Sequence, residues 1–216
     1  MNGPLKVAFR AYVIIAIAFL ITLFWHPYPG STLIKPLPLL ILAAMAWTKL
    51  SGSERWIMTL AFLCSACGDA LLDIDRSRLF VPALVSFMLT QILYAVAFLR
   101  SQAFNARRLL AAMGVIIFSL VITVILWSSL GELRIPVLVY IVVITFMGVA
   151  AAFRAGEMRW VFTGACIFIL SDAIIAITKF VAPFEHQLMV IIGLYFMGQF
   201  LIGRGVLSDE NAQTSA

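Results

Sequence analysis

Eight stretches of almost unbroken apolar residues run the length of the chain. Each is parted from the next by a few polar, charged, Gly or Pro positions. They cover residues 8–24, 32–47, 56–72, 79–99, 109–127, 135–153, 160–180 and 188–202. A helix rises about 1.5 Å per residue and the hydrocarbon core of a bilayer is about 30 Å thick, so about 20 apolar residues make one crossing. Each stretch reads as a membrane-spanning helix, and the second and eighth are short enough to sit partly at the interface. After the first come Trp25, His26, Pro27 and Tyr28 rather than a small-residue cleavage site, so it reads as a span and not a signal peptide. The connections are too brief for an extramembrane domain. Residues 1–205 therefore form one all-α, eight-span bundle, and residues 206–216 read as a polar, disordered cytoplasmic tail.

Two further patterns support this layout. All five Trp residues (Trp25, Trp47, Trp56, Trp127 and Trp160) fall at the ends of stretches, where aromatic belts form. With a cytoplasmic N-terminus, the inner segments hold 10 Lys and Arg and the outer ones 5 (Lys35, Arg76, Arg78, Arg134 and Lys179). By the positive-inside rule both termini are cytoplasmic in the inner or plasma membrane.

Composition closes off other classes. The 216 residues are 63% hydrophobic and only 12% charged, against about 25% charged in soluble domains. A soluble enzyme, a nucleic-acid-binding module and a disordered chain are excluded. The net charge of +5 belongs to the loops and implies no nucleic acid.

The chain resembles itself at an offset near 100. Gly68-Asp69-Ala70-Leu71-Leu72 matches Ser171-Asp172-Ala173-Ile174-Ile175, Leu93-Tyr94 matches Leu194-Tyr195, and Ile34-Lys35-Pro36-Leu37 matches Arg134-Ile135-Pro136-Val137. The matches suggest a duplicated four-span unit with parallel halves; the alternative is coincidence in a Leu/Ile-rich sequence.

Candidate chemistry lies where charge enters the stretches. An ionisable group at bilayer depth costs about 2.5–3.5 kcal/mol on insertion scales. Asp69 and Asp172 lie well inside the third and seventh stretches, toward the outer face, and Lys35 sits in the first turn of the second. Ser65, Asp69 and Asp73 form one polar stripe, and Ser171, Asp172, Thr178 and Lys179 another. The fourth stretch adds Thr90, Gln91 and Tyr94, and the eighth adds Tyr195 and Gln199. Lipid satisfies none of these groups, so they must face one another or a wet cavity, most simply a polar pocket at the bundle centre that opens toward the outer leaflet. Two carboxyls in an apolar cavity supply the parts of an acid–base pair. The alternative is an Asp–Lys pair that only holds helices together, and a small-solute or proton-coupled transporter would carry the same midplane charges.

Other signals point elsewhere. Cys64-Ser65-Ala66-Cys67 has redox spacing, but only Cys166 is left for a second pair, and small residues on a helix commonly serve packing. His26 and His186 lie at separate span ends, short of the usual three-ligand zinc set, although Asp69 and Asp172 with one His remain an alternative. No metal or cofactor is expected, and no phosphate loop or nucleophile elbow occurs.

The order of these motifs resembles a known family. Lys35-Pro36, Gly68-Asp69-Ala70-Leu71-Leu72, Phe87 with Thr90 and Tyr94, Gly164-Ala165 with Phe168, Ser171 and Asp172, then Tyr195 and Gly198-Gln199 with Leu201-Ile202 are similar to the YhhN-like family, which includes the lysoplasmalogenases. Gln91 stands where that family often has His, and Pro82 where it often has Gly. The resemblance implies an eight-span membrane hydrolase that splits the vinyl ether bond of a lysoplasmalogen into a fatty aldehyde and a glycerophospho-base. It implies a lysophospholipid substrate in the bilayer and no cofactor. Asp69 and Asp172 would be catalytic. Lys35, Asp73, Gln91, Tyr94, Ser171, Lys179, Tyr195 and Gln199 would contact or position the substrate. The chemistry parallels two-carboxylate glycoside hydrolysis.

Overall fold

The computed structural model describes residues 3–156 and 158–213, which are helical with short connections. The helices are α1 (Gly3–Thr22), α2 (Ser31–Ile34), α3 (Leu37–Lys49), α4 (Gly52–Ile74), α5 (Phe80–Leu99), α6 (Ala106–Leu126), α7 (Arg134–Phe153), α8 (Met158–Phe180) and α9 (Gln187–Gln213). They make eight crossings long and apolar enough for a membrane, α2 and α3 together forming one. Large apolar side chains such as Ile14, Ile117, Val124 and Val142 point outward, as lipid contact requires.

Two predicted boundaries move. The second crossing is broken at Lys35-Pro36, because a proline has no N–H to donate and its ring crowds the preceding turn. The last helix does not stop at Gly205. Val206 and Leu207 join the core, and the backbone stays helical to Gln213, so the predicted disordered tail is helical over its described part. Residues 214–216 lie outside the described residues.

In each half, neighbours follow chain order: α1 on α3, α3 on α4, α4 on α5, then α6 on α7, α7 on α8, α8 on α9. Across the halves α5 packs on α7 and α9 on α3, which the offset near 100 makes equivalent contacts. These pairings match those that a four-plus-four arrangement would give. The symmetry fails at the first helix of each half, since α1 also leans on α9 while α6 leans lightly on α8.

Buried arginines tie the ends on the face that holds the termini. Arg108 donates to the carbonyls of Ala152, Arg154 and Gly156 beyond α7. Arg154 donates to the Ala97 carbonyl and meets Glu54 at 3.0 Å. Such groups satisfy helix-terminal carbonyls and complement their partial negative charge.

The closest crossing is α8 on α9. A Cβ on Gly164 would lie 2.8 Å from the Gly198 carbonyl oxygen and 2.8 Å from the Ile202 nitrogen, and one on Gly198 would lie 2.9 Å from the Gly164 oxygen. These are backbone atoms that cannot rotate away, so small residues set the helix separation. Gly198→Ala is expected to lower the thermal unfolding midpoint in detergent by several degrees. Gly193→Ala, whose Cβ would approach nothing nearer than 4.0 Å, is expected to leave it nearly unchanged.

Candidate active site

The helix break at Pro36 leaves Lys35 at the edge of the bundle interior, where its Nζ lies 3.7 Å from Asp69 Oδ1. Both side chains are almost fully buried, at 4% and 3% exposure. The Tyr195 hydroxyl donates to Asp69 Oδ2 at 2.8 Å, so one carboxylate joins the α2–α3 break, α4 and α9. A polar ladder continues inward from there. Gln199 Nε2 donates to Ser65 Oγ at 2.8 Å, the Tyr94 hydroxyl donates to Gln199 Oε1, and Thr90 donates to the Ala61 carbonyl at 3.2 Å. Each polar group of this ladder thus finds a partner on a facing helix.

Asp172 has different surroundings. Its carboxylate accepts from the Tyr140 hydroxyl of α7 and forms part of the wall of a cavity of about 70 Å³. The remaining wall is almost wholly apolar, with Phe80, Phe87, Phe118 and Ile169 prominent. Among the described residues, no Lys or Arg stands at ion-pair distance from Asp172. Gln91 is fully buried beside Tyr140, yet neither of its amide atoms reaches a protein partner in good hydrogen-bond geometry.

Asp69 is not part of the cavity wall. Phe87 stands in that wall, and its ring packs on Tyr195 at 5.9 Å. Gly68 lets Phe87 lie against α4, since a Cβ there would come within 2.8 Å of the ring. The two aspartates remain within electrostatic reach of each other. They occupy two compartments, not one shared pocket.

The other predicted residues divide the same way. Tyr94, Tyr195 and Gln199 belong to the Asp69 side. Ser171 donates to the Ile191 carbonyl and joins α8 to α9. Asp73 turns away from Asp69 and accepts from Ser31 at 2.6 Å and Thr32 at 3.0 Å, with His26 at 3.0 Å, pinning the loop after α1 to the C-terminal end of α4. Lys179 lies at the cavity rim, its Nζ 4.0 Å from the centre of the Phe80 ring. Cys64 and Cys67 are unbridged thiols, and Cys67 is exposed on the outside of α4. Tyr140 was not singled out from the sequence, and His26, weighed there only as a metal ligand, instead meets Asp73. A tyrosine in the middle of an apolar run carries a hydroxyl that must find a partner, and that was the available signal.

The class is clear from this architecture: an integral membrane protein of eight helices with a buried ion pair and a separate carboxylate facing an apolar cavity. The YhhN family pattern matches residues 30–206, and the chain belongs to that family. It is 30% identical to human lysoplasmalogenase TMEM86B over 185 residues, covering 85% of this chain and 78% of that protein. It is 33% identical to a Mycobacterium bovis lysoplasmalogenase, covering 82% and 70%. It is 28% identical to the membrane protein YhhN of Escherichia coli, covering 80% and 85%. No solved structure matches the chain.

The Lys35–Asp69 pair generates a stability prediction. Removing one partner strands a buried charge and costs about 3–5 kcal/mol, whereas replacing both can be nearly neutral. Lys35→Met and Asp69→Asn are each expected to reduce folded yield sharply. The double substitution is expected to recover much of it, as fluorescence-detected size exclusion would report.

Proposed function

We propose that this protein hydrolyses the vinyl ether bond of lysoplasmalogens, releasing a fatty aldehyde and a glycerophospho-base. The names of its relatives support the reading. The observation that carries it is the Asp172 carboxyl, backed by Tyr140, in the wall of an almost wholly apolar cavity.

The chemistry needs one carboxyl in contact with the substrate. The Asp172 O–H proton passes to the outer vinyl carbon, and an oxocarbenium ion forms. The carboxylate left behind faces that cation and takes a proton from water as the water oxygen bonds to the inner carbon. The restored acid then protonates the ether oxygen as the C–O bond of the hemiacetal breaks, and the carboxylate takes the hydroxyl proton of the forming aldehyde. One water is consumed and Asp172 ends as it began. This is acid–base work of the kind worth about 10²–10⁴ in rate. Gln91 offers an amide donor and acceptor to the water. Asp69 acts indirectly, holding Tyr195 behind Phe87.

Geometry supports a head-outward pose. From the protonated carbon to the phosphorus is seven bonds, about 8–9 Å when extended. Lys179 lies seven residues past Asp172, about 10 Å along the same helix face. The phosphate therefore falls beside Lys179, with Arg76 in electrostatic reach of that lysine. The excess of Lys and Arg on the face holding the termini supports cytoplasmic termini, so the rim opens to the outer leaflet.

Asp172→Asn is expected to reduce aldehyde release from a lysoplasmalogen about 100-fold or more in a protein that still elutes as a folded species. An active variant would remove Asp172 from the mechanism. Lys179→Gln is expected to raise KM several-fold for the phosphate-bearing substrate while kcat changes little. KM for a vinyl-ether glycerol without phosphate should not move.

A further inference from the structure

Resting on that reading, we infer that the alkenyl chain leaves the Asp172 cavity along the groove between α6 and α8, and that Gly114 determines the chain length accepted. The groove arises because α6 packs closely on α7 but only lightly on α8. Ala111, Gly114 and Phe118 form one side of it, and Phe162, Cys166 and Ile169 the other. Phe118 and Ile169 also belong to the wall around Asp172, so the two spaces adjoin. On α7 behind them, Gly148 has no room for a side chain: a Cβ would come within 2.6 Å of Ile169 and 2.9 Å of Val115. That glycine lets α7 sit close behind the groove without filling it.

Length and chemistry agree with a single hydrocarbon chain as the occupant. From Asp172 back to Phe162 is ten residues, about 15 Å of helix. A chain of sixteen carbons, extended, spans about 18 Å. At that depth the apolar lining ends, and the adjoining space is bordered by Arg107, Arg108 and Arg159. Charged groups there disfavour a longer apolar tail, so the groove has an end as well as a beginning.

Gly114 lies about halfway down, and a Cβ built on it would meet nothing within 4 Å. A large side chain can therefore enter the groove without striking protein. Cys166, across the groove, is six residues from Asp172, about 9 Å. A plug at this level leaves space for only about seven or eight carbons.

The test compares eight-carbon and sixteen-carbon lysoplasmalogens on wild type, Gly114→Phe and Val124→Phe; the last places the same side chain on the exposed outer face of α6. Gly114→Phe is expected to lower the ratio of long-chain to short-chain kcat/KM roughly tenfold or more, with the ratio unmoved in Val124→Phe. A parallel measurement uses a saturated alkyl-ether lysophospholipid with a terminal diazirine, which cannot be hydrolysed. Light is expected to attach it to residues 106–114 of α6 or 158–166 of α8 in the wild type. An unchanged ratio in Gly114→Phe, or labelling confined to other segments, would overturn the groove assignment. If wild type cleaves neither substrate, the hydrolase reading fails instead, and the labelling pattern still decides where the chain lies.

Discussion

Hydrocarbon offers no partner to a polar group, so each charge drawn into this bundle has to be matched by another protein group. The Lys35–Asp69 pair is where that demand organises the most structure. Lys35 enters the interior because Pro36 breaks the second crossing, and Asp69 receives both the ammonium and the Tyr195 hydroxyl. Three chain segments far apart in sequence thereby share one carboxylate. The ladder of Ser65, Gln199 and Tyr94 then continues the match toward the other face. The cost of desolvating the pair is recovered only while all three segments are in place, so the pair favours one arrangement of helices over near alternatives.

Two aspartates stand at matching positions of the two four-span halves, and the halves use them differently. If the repeat were strict, the contact between Tyr195 and Asp69 would have its counterpart between Tyr94 and Asp172. Tyr94 instead turns to Gln199, and Tyr140 of α7 occupies the place beside Asp172. The position corresponding to Lys35 holds Ile135, which is exposed on the outside. One copy therefore carries a cation and is closed by packing, while the other lacks one and adjoins open space. The light contact of α6 on α8 leaves that space.

The fold was legible because its determinants are one-dimensional. Hydropathy marks crossings, Trp marks interfaces, and the offset near 100 marks the repeat. The misread tail shows the limit of that signal: Val206 and Leu207 pack on the core, so the helix persists beyond the point where hydropathy falls. At the site, Asp69, Asp172 and Lys35 stood out as charges in an apolar run. Their division into two compartments did not, since it depends on where Phe87 lies, and Phe87 can lie there because Gly68 has no side chain. Helical spacing placed Asp73 on the Asp69 stripe correctly, but His26, Ser31 and Thr32 claim its carboxylate. Spacing along one helix cannot say which neighbouring segment supplies the partner.

The scarcity of charge sharpens what remains. Arg108 and Arg154 close helix ends, Asp73 pins a loop, and Lys35 with Asp69 joins three segments. Each of these has a structural reason that would hold with no substrate present. Asp172 differs: it draws on a single phenol of α7 and lines a space that packing could have filled. An apolar side chain of the same size would satisfy that wall at less desolvation cost, since a buried polar group with few partners is a burden on stability. Stability alone therefore gives no account of an aspartate at position 172. The reaction we propose, which needs a proton delivered inside an apolar chamber, does.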